Sequence, residues 1–213
     1  MKKTISILGS TGSIGTTTLK IISKKKSLFK VNILSANSNY KEICSQIKKF
    51  KPNVFIIFNK TILLKVKKKF KNKKIQIKNS FKEIQFTKIK NDITVAAIPG
   101  LAGLEPTIFF VKKSKKILLA NKEAVICGWD LIKKIAKKNR TIITPIDSEH
   151  FSIKTLFDKH SPNEIEKIYI TASGGPFLNL SVSKFSKIKP YDAIKHPKWK
   201  MGKKISIDSS TLM

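Results

Sequence analysis

The sequence has 213 residues, 41% of them hydrophobic, which is enough for one large domain or for one domain and part of another. Its formal net charge of +31 would ordinarily indicate nucleic-acid binding, but all except one of its 44 basic residues are lysine, and proteins that read bases rely on arginine. We therefore predict no specific nucleic-acid partner. We also predict no membrane span, because no apolar run approaches the roughly 20 residues that a span requires.

The two cysteines, Cys44 and Cys127, lie far apart in the sequence and form no metal-binding pair. This pattern is typical of reduced thiols in a cytoplasmic protein. The lysines at the start resemble the first part of a signal peptide. Because the apolar run behind them is too short, we expect no cleaved leader.

A glycine-rich turn follows the first predicted strand, Thr4–Leu8, and leads into a predicted helix, Ser13–Ser23. Strand, glycine turn and helix in this order form the context of a dinucleotide-binding fingerprint. Glycines allow close approach of a pyrophosphate, and the helix N-terminus supplies free N–H groups and a positive dipole end. The spacing is GxxGxxG rather than the commoner GxGxxG. We predict cofactor binding here, with a purely structural turn as the alternative.

The second predicted strand, Val31–Ala36, ends at Asn37-Ser38-Asn39. An NAD enzyme usually places Asp or Glu at this point, on the ribose 2′-hydroxyl. Small polar residues instead leave room for a 2′-phosphate and favour NADP, and Lys41 could supply a charge to it. The alternative is that these three residues form only a turn.

Strands and helices continue to alternate through the next hundred residues. The predicted strands are Val54–Phe58, Ile75–Ile77, Ile93–Ile98, Ile117–Ala120 and Thr141–Thr144, and the predicted helices are Tyr40–Phe50, Thr61–Phe70, Leu104–Lys113 and Glu123–Lys138. This alternation predicts an α/β fold with a parallel sheet, in which ligands bind at the carboxyl ends of the strands. Five polar or glycine-containing segments fall at such ends: the glycine turn, Asn37–Asn39, Pro99-Gly100, Asn121–Glu123 and Asp147–His150.

Two acids, Asp147 and Glu149, follow the last of these strands in a chain that has only 13 acidic residues. On a regular strand, residues two positions apart lie on the same face, so both acids could point into one cleft. Paired carboxylates suit a hard divalent ion such as Mg²⁺ or Mn²⁺. The alternative is an exposed acidic turn. Lys122 is likewise either a ligand contact or one more solvated cation.

The pattern changes after His150, and we predict a domain over residues 1–150 and a second over residues 151–213. The second begins with a predicted helix, Phe151–Lys159, followed by a strand, Lys167–Ala172. That strand leads into Ser173–Phe177, which is either a phosphate-binding turn or a structural hairpin. Trp199 then lies on a loop as a core anchor or a lid, before a predicted strand at Ile205–Asp208.

Five motifs together resemble the 1-deoxy-D-xylulose 5-phosphate reductoisomerase family. In order they are GSTGSIG (Gly9–Gly15), LLANKE (Leu118–Glu123), DSEH (Asp147–His150), SGGPF (Ser173–Phe177) and HPKWKMGKKISIDS (His196–Ser209). The resemblance runs from residue 4 to the C-terminus. It implies a Rossmann-like NADP-binding domain followed by the first part of an α+β catalytic domain. The implied activity is the conversion of deoxyxylulose phosphate to 2-C-methylerythritol 4-phosphate, in isoprenoid precursor synthesis, by a homodimer that uses NADPH and Mg²⁺ or Mn²⁺.

The same resemblance implies roles for individual residues. The expected NADPH contacts are Thr11, Gly12, Ser13, Ile14, Asn37, Ser38, Asn39, Asn121, Glu123 and Gly202. The expected metal ligands are Asp147 and Glu149. The expected substrate contacts are Lys122, Ser148, Glu149, Ser173, His196 and Ser209, and the catalytic set is Lys122, Asp147, Glu149 and His196.

The sequence departs from the family pattern in two places. The family often has a basic residue where this chain has Ser38, and its members continue beyond Met213 with Asn-Lys-Gly-Leu-Glu, which carries a third metal carboxylate. We therefore expect this chain to be a fragment or a truncated product that is inactive alone. Two other readings remain open. One is a non-catalytic basic binding protein on a nucleotide-binding fold, and the other is a different NADP-linked dehydrogenase.

Overall fold

The computed structural model describes residues 1–84, 91–171, 174–200 and 202–212. Internal contacts divide the chain into two compact units, Met1–Lys159 and His160–Met213. The predicted division into domains over residues 1–150 and 151–213 stays a prediction. In the described part of the chain, none of the helices has the length and apolar character that a membrane span requires.

Seven strands of the first unit form one sheet in the order β4-β3-β2-β1-β5-β6-β7. They are β1 (Lys3–Leu8), β2 (Phe29–Ala36), β3 (Val54–Ile57), β4 (Gln76–Lys78), β5 (Asn91–Ala96), β6 (Ser114–Leu119) and β7 (Ile142–Pro145). Every neighbouring pair is parallel, which confirms the predicted α/β fold. The chain builds outward from β1 through β2 to β4, then restarts beside β1 with β5. The strand order therefore reverses between β1 and β5, the kind of position where α/β sheets bind ligands.

Helices cover both faces of this sheet. They are α1 (Ser13–Lys24), α2 (Tyr40–Phe50), α3 (Lys60–Lys69), α4 (Leu104–Val111), α5 (Lys122–Asn139) and α6 (Ser148–Phe157). One core contains Leu19, Ile43 and Val66 from α1, α2 and α3, and the other contains Phe110 and Ile132 from α4 and α5. Each such buried side chain contributes roughly 1.5–3 kcal/mol, so the two layers fix the helices against the sheet.

Asparagine side chains begin three of these helices at the carboxyl end of the sheet. The Oδ1 atoms of Asn39, Asn59 and Asn121 accept hydrogen bonds from backbone N–H groups in the first turns of α2, α3 and α5. Each cap stabilises its helix by about 1 kcal/mol. The caps also fix where each helix starts relative to the strand before it.

A charged network joins three strands at their amino ends, the opposite end of the sheet from the helix caps. The carboxylate of Asp92 in β5 accepts hydrogen bonds from the backbone N–H and hydroxyl of Thr4 in β1, at 2.8 and 2.9 Å. It also accepts one at 2.7 Å from Lys115 in β6. The hydrogen bond from Lys115, followed by that from the Thr4 backbone, lowers the pKa of Asp92 to about 2. The network therefore ties β1, β5 and β6 together while Asp92 is ionised.

The second unit contains α7 (Pro190–Ala193) and α8 (Lys203–Leu212), and none of its described residues forms a strand. The prediction of a strand at Lys167–Ala172 is wrong for residues 167–171, which are irregular, and Ala172 lies outside the described residues. The prediction of a strand at Ile205–Asp208 is also wrong, because these residues belong to α8. Among the α8 residues whose side chains are described, the buried ones are Ser206, Ser209 and Ser210. Their spacing of three and four residues is that of a helix face, which four alternating residues could not reveal.

Candidate functional site

The turn between β1 and α1 is packed against the segment that follows β5. Gly9 has a φ of +80°, and a Cβ on it would lie 2.6 Å from the carbonyl oxygen of Ala97. A Cβ on Gly15 would overlap the carbonyl oxygen of Gly9 and lie 2.6 Å from Cα of Ser10. Packing inside the protein therefore requires glycine at both positions. The contact with Ala97, which follows β5, places the turn between β1 and β5, where the strand order reverses.

Gly12 is different, because nothing inside the described protein requires a glycine there. It is the N-cap residue of α1, with ordinary backbone angles of φ −78° and ψ 175° and no side-chain cap. The only described atom within 4 Å of a Cβ at this position is the Gly9 carbonyl oxygen, at 3.4 Å. Gly12 and Ser13 are exposed, and Thr11 and Ile14 are half-buried. The first N–H groups of a helix have no intrahelical partner, so this end of α1 offers them to an anion.

In the loop after β2, only one of the three residues, Asn39, caps the helix that follows. Asn37, Ser38 and Asn39 are all exposed. The Asn39 side chain accepts a hydrogen bond at 3.1 Å from the backbone N–H of Glu42 and so caps α2. Ser35, at the end of β2, holds the neighbouring glycine turn: its Oγ accepts from the N–H of Gly9 at 3.0 Å. The loop and the turn are thus side by side.

Both polar atoms of the Asn121 side chain form hydrogen bonds within the protein. It is 3% exposed, and its Nδ2 donates to the carbonyl oxygens of Ile98 at 2.6 Å and Gly100 at 3.0 Å. Its Oδ1 accepts from the N–H of Ala124 at 3.0 Å. The residue therefore fixes the turn after β5 to the start of α5. Glu123 follows it, half-buried, in the first turn of α5.

The two predicted metal carboxylates lie at the start of a helix, so the expectation that they share one face of a strand is wrong. β7 ends at Pro145, and Asp147 is the N-cap residue of α6. The Asp147 Oδ2 accepts from the backbone N–H of His150 at 3.2 Å and lies 2.6 Å from the Nδ1 of the same residue. Asp at an N-cap satisfies an otherwise unpaired N–H group, which is why the chain turns into a helix here.

Lys122 and Glu149 join the starts of two helices. The Lys122 Nζ donates to the Glu149 Oε1 at 3.0 Å, and the Ser148 Oγ donates to the Glu149 Oε2 at 2.8 Å. The hydrogen bond from Lys122, followed by contributions from the Glu149 backbone and Ser148, lowers the pKa of Glu149 to about 2. Glu149 is therefore a full carboxylate throughout the neutral range. Lys122, Ser148 and Glu149 are thus hydrogen-bonded to one another at the starts of α5 and α6; their role in substrate binding stays a prediction.

The donor set of this cluster suits a hard divalent cation. Asp147 and Glu149 offer carboxylate oxygens, the ligand type that Mg²⁺ and Mn²⁺ prefer. Within the described ranges no group of three or more His, Cys, Asp or Glu side chains is arranged to hold a metal ion. The two carboxylates therefore fit the cation as part of a coordination shell that other oxygen donors must complete.

The remaining predicted residues belong to the second unit. Ser173 lies outside the described residues. A Cβ on Gly175 would overlap the carbonyl oxygen of Ser209, so Gly175, the middle residue of the SGGPF segment, packs directly on α8. Ser209 is 4% exposed, and its Oγ donates to the Ser206 carbonyl oxygen at 3.0 Å. The His196 Nδ1 accepts from the backbone N–H of Trp199 at 3.0 Å, and Gly202 is exposed.

Two residues that shape the turn were missed in the sequence. Ser35 is a buried polar residue at a strand end, and Gln46 lies buried in α2 between Ile43 and Ile47. A polar residue on the apolar stripe of an amphipathic helix is a signal that could have identified Gln46. Ser35 carries no comparable signal, because small polar residues at strand ends are common.

Two family models match the chain. The model of 1-deoxy-D-xylulose 5-phosphate reductoisomerase matches residues 5–128, and the model of that enzyme's C-terminal domain matches residues 143–213. A reductoisomerase of Pelagibacter ubique is 50% identical over all of this chain and 55% of its own length. The one from Clostridium novyi is 44% identical over 99% of this chain and 56% of its own length. The chain thus spans about half the length of the curated relatives it matches.

Solved structures of the same enzyme share the fold. A reductoisomerase crystallised with NADPH, fosmidomycin and magnesium is 32% identical, with a TM-score of 0.83 over 97% of this chain and 54% of its own. The Zymomonas mobilis enzyme in complex with NADPH is also 32% identical, with a TM-score of 0.83 over 98% of this chain and 54% of its own.

Proposed function

Because the chain belongs to the 1-deoxy-D-xylulose 5-phosphate reductoisomerase family, we propose that it serves the NADPH- and metal-dependent conversion of that substrate to 2-C-methyl-D-erythritol 4-phosphate. The observation that carries the proposal is one of placement. An open helix N-terminus at Gly12 and the ionised cluster around Glu149 both lie at the carboxyl ends of strands in one parallel sheet. A nucleotide cofactor and a cation-bound sugar phosphate need such neighbouring sites.

NADPH would be bound by the glycine turn and the loop after β2. The free N–H groups at the start of α1 would hold the pyrophosphate, and Gly12 would allow it to approach closely. Asn37 and Ser38 would lie at the adenosine ribose and leave space for its 2′-phosphate. NADPH bound there supplies hydride for the reduction, and the protein's task is to orient it.

The cation and the substrate would be held by the cluster at the starts of α5 and α6. Asp147 and Glu149 would bind Mg²⁺ or Mn²⁺, whose chemistry is to stabilise negative charge on substrate oxygens. Glu149 would enter this role as a carboxylate already oriented by hydrogen bonds from Lys122 and Ser148. Lys122 and Ser148 would hold the substrate backbone, and Ser173 and Ser209 its phosphate. His196, on the loop that carries Trp199, would cover the substrate and keep water out.

We further propose that residues 1–150 form the NADP-binding domain, that residues 151–213 belong to the catalytic domain, and that the active protein is a cytoplasmic homodimer. The support for the dimer is the family itself. The support for the compartment is that both cysteines, buried Cys44 and exposed Cys127, are free thiols.

Two measurements test the proposal. The 213-residue chain is titrated with NADPH, with NADH and with a short DNA duplex at physiological salt, and we expect saturable binding that favours NADPH. Substrate-dependent NADPH oxidation with Mn²⁺ is then compared between this chain and a version extended through a complete catalytic domain. We expect turnover only in the extended version, because two carboxylates leave Mg²⁺ or Mn²⁺ held mainly by water. Comparable turnover by the shorter chain would show that the metal site has been misplaced.

A further inference from the structure

A buried pair of polar side chains joins the glycine turn to helix α2. Ser10 in the turn is 0% exposed and Gln46 in α2 is 2% exposed. The Ser10 Oγ donates to the Gln46 Oε1 at 2.7 Å, and the Gln46 Nε2 donates back to the Ser10 carbonyl oxygen at 2.9 Å. Two hydrogen bonds between the same two residues fix both distance and orientation, and in a buried setting neither partner can turn to water instead.

The turn has little freedom left once these bonds are made. The Ser10 N–H donates to the Ser35 carbonyl oxygen at 2.7 Å, so β2 holds the turn from one direction while Gln46 holds it from the other. The Gly12 N–H donates to the Gly9 carbonyl oxygen at 3.1 Å and closes the turn on itself. The orientation of the next peptide groups, which lead into α1, therefore depends on where Gln46 holds Ser10.

Gln46 also connects the turn to the loop after β2. Its Nε2 donates to the Glu42 Oε1 at 3.0 Å, and the Glu42 N–H donates to the Asn39 Oδ1 at 3.1 Å. One chain of hydrogen bonds thus runs from Asn39 through α2 to Ser10. The two segments proposed to hold the pyrophosphate and the adenosine ribose are its two ends.

We propose that Gln46 is a positioning residue of the cofactor site, which aims the N–H groups at the start of α1 toward the NADPH pyrophosphate. This inference rests on the proposed NADPH binding. It requires an amide, because the side chain must accept from the Ser10 hydroxyl and donate to the Ser10 carbonyl at the same time. A hydrocarbon of similar length makes neither bond, and a carboxylate makes only the first while repelling the Ser10 carbonyl oxygen and the Glu42 carboxylate.

The test compares three variants of the 213-residue chain by calorimetric NADPH titration, with thermal unfolding measured alongside. Gln46→Met keeps the volume and removes both bonds to Ser10. Gln46→Glu keeps the acceptor and makes the donor depend on pH. Thr141→Val is the matched control: its buried hydroxyl donates to the carbonyl oxygens of Val111 and Ser114, at 2.7 and 3.0 Å, on the other side of the sheet from α2.

We expect Gln46→Met to weaken NADPH binding about tenfold, because the N–H groups of α1 are no longer held toward the pyrophosphate, while Thr141→Val unfolds at a lower temperature with unchanged affinity. Gln46→Glu should bind weakly at about pH 8 and recover relative to the parent chain at about pH 6. Burial and the neighbouring Glu42 raise the pKa of such a carboxyl group, and its protonated form donates to Ser10 again.

Parent-like affinity in Gln46→Met, or equal losses in Gln46→Met and Thr141→Val, would reduce Gln46 to a stability role and overturn the inference. If Gln46→Met does not fold, the absence of recovery at low pH in Gln46→Glu overturns it. A parent chain that does not bind NADPH removes the proposed function itself, so the two failures are told apart in one experiment.

Discussion

Replacing Gly12 with valine is expected to abolish NADPH binding while the fold survives. Inside the protein the new Cβ meets only the Gly9 carbonyl oxygen, at the ordinary distance of 3.4 Å, and the φ of −78° suits any residue. The cost is that of a poorer N-cap, about 1 kcal/mol. The valine methyl groups, however, occupy the space in front of the free N–H groups of α1. Loss of two charge-assisted hydrogen bonds to phosphate costs about 3–6 kcal/mol, which is at least about a hundredfold in affinity.

Gly15→Val is the matched control for Gly12→Val, because the two glycines lie one helical turn apart. A Cβ at Gly15 overlaps backbone atoms of Gly9 and Ser10, which cannot move without displacing the turn. Overpacking against backbone costs about 1–3 kcal/mol or more, so this variant should lose stability as well as binding.

Urea unfolding and calorimetric NADPH titration of both variants and the parent chain separate the two effects. We expect the free energy of unfolding to fall by about 1 kcal/mol in Gly12→Val and by more in Gly15→Val. Unchanged NADPH affinity in Gly12→Val would refute the assignment of the pyrophosphate to this helix end. A Gly15→Val chain as stable as the parent would refute the packing described for the turn.

Three further changes probe the cofactor loop and the two charged networks. Ser38→Asp should weaken NADPH more than NADH, because a carboxylate at the end of β2 repels a 2′-phosphate; competitive titration of both nucleotides measures the ratio. Lys122→Met should raise the pKa of Glu149 from about 2 toward the ordinary glutamate value of 4.5, since the Lys122 hydrogen bond is the largest cause of the shift, and NMR titration of the carboxyl carbon reports it. Asp92→Asn should lower the unfolding free energy by about 1 kcal/mol at neutral pH. Because the folded pKa of Asp92 is lowered from 3.8 to about 2, this contribution is complete above pH 3.8 and disappears as pH falls through about 2, which urea unfolding across that range measures.

Each of these three predictions has an outcome that would contradict it. Equal losses for NADPH and NADH would show that Ser38 does not face the 2′-phosphate. A Glu149 pKa that stays near 2 without Lys122 would show that Ser148 and the backbone, rather than Lys122, lower it. A stability difference for Asp92→Asn that persists unchanged at about pH 2 would mean that the loss comes from packing rather than from charge.

The fold of the first unit was predictable because its signals are local and repeated. Apolar strands such as Val54–Ile57 and amphipathic helices such as Tyr40–Phe50 carry their period within a few residues, and alternation then dictates a parallel sheet. The failures occur where the local pattern is short. Ile205–Asp208 alternates for only four residues, and the helix that contains it, α8, packs at Ser209 and Ser210 against Gly175, about thirty residues earlier in the chain.

The two acids show how the conformation predicted for a segment can be wrong while the position of the segment in the sheet is right. Asp147 was paired with Glu149 through the two-residue period of a strand, yet the two residues are the cap and the first turn of α6. Asp followed two positions later by Glu is itself a helix-start signal, because both carboxylates stabilise the positive end of the helix. In the helical conformation the two acids have different partners: Asp147 pairs with His150, and Glu149 pairs with Lys122 and Ser148.

The contacts that tune the site were beyond the reach of the sequence, because each joins residues on different elements. In a chain with 44 basic residues, nothing local selects Lys122 as the partner of Glu149, 27 positions away. The pair forms because β6 and β7 are neighbours and the helices that follow them, α5 and α6, start at the same edge of the sheet. Gln46 and Ser10 meet in the same way, through β1 and β2. Strand order, which only the whole fold supplies, thus determines both the electrostatics around Glu149 and the shape of the glycine turn.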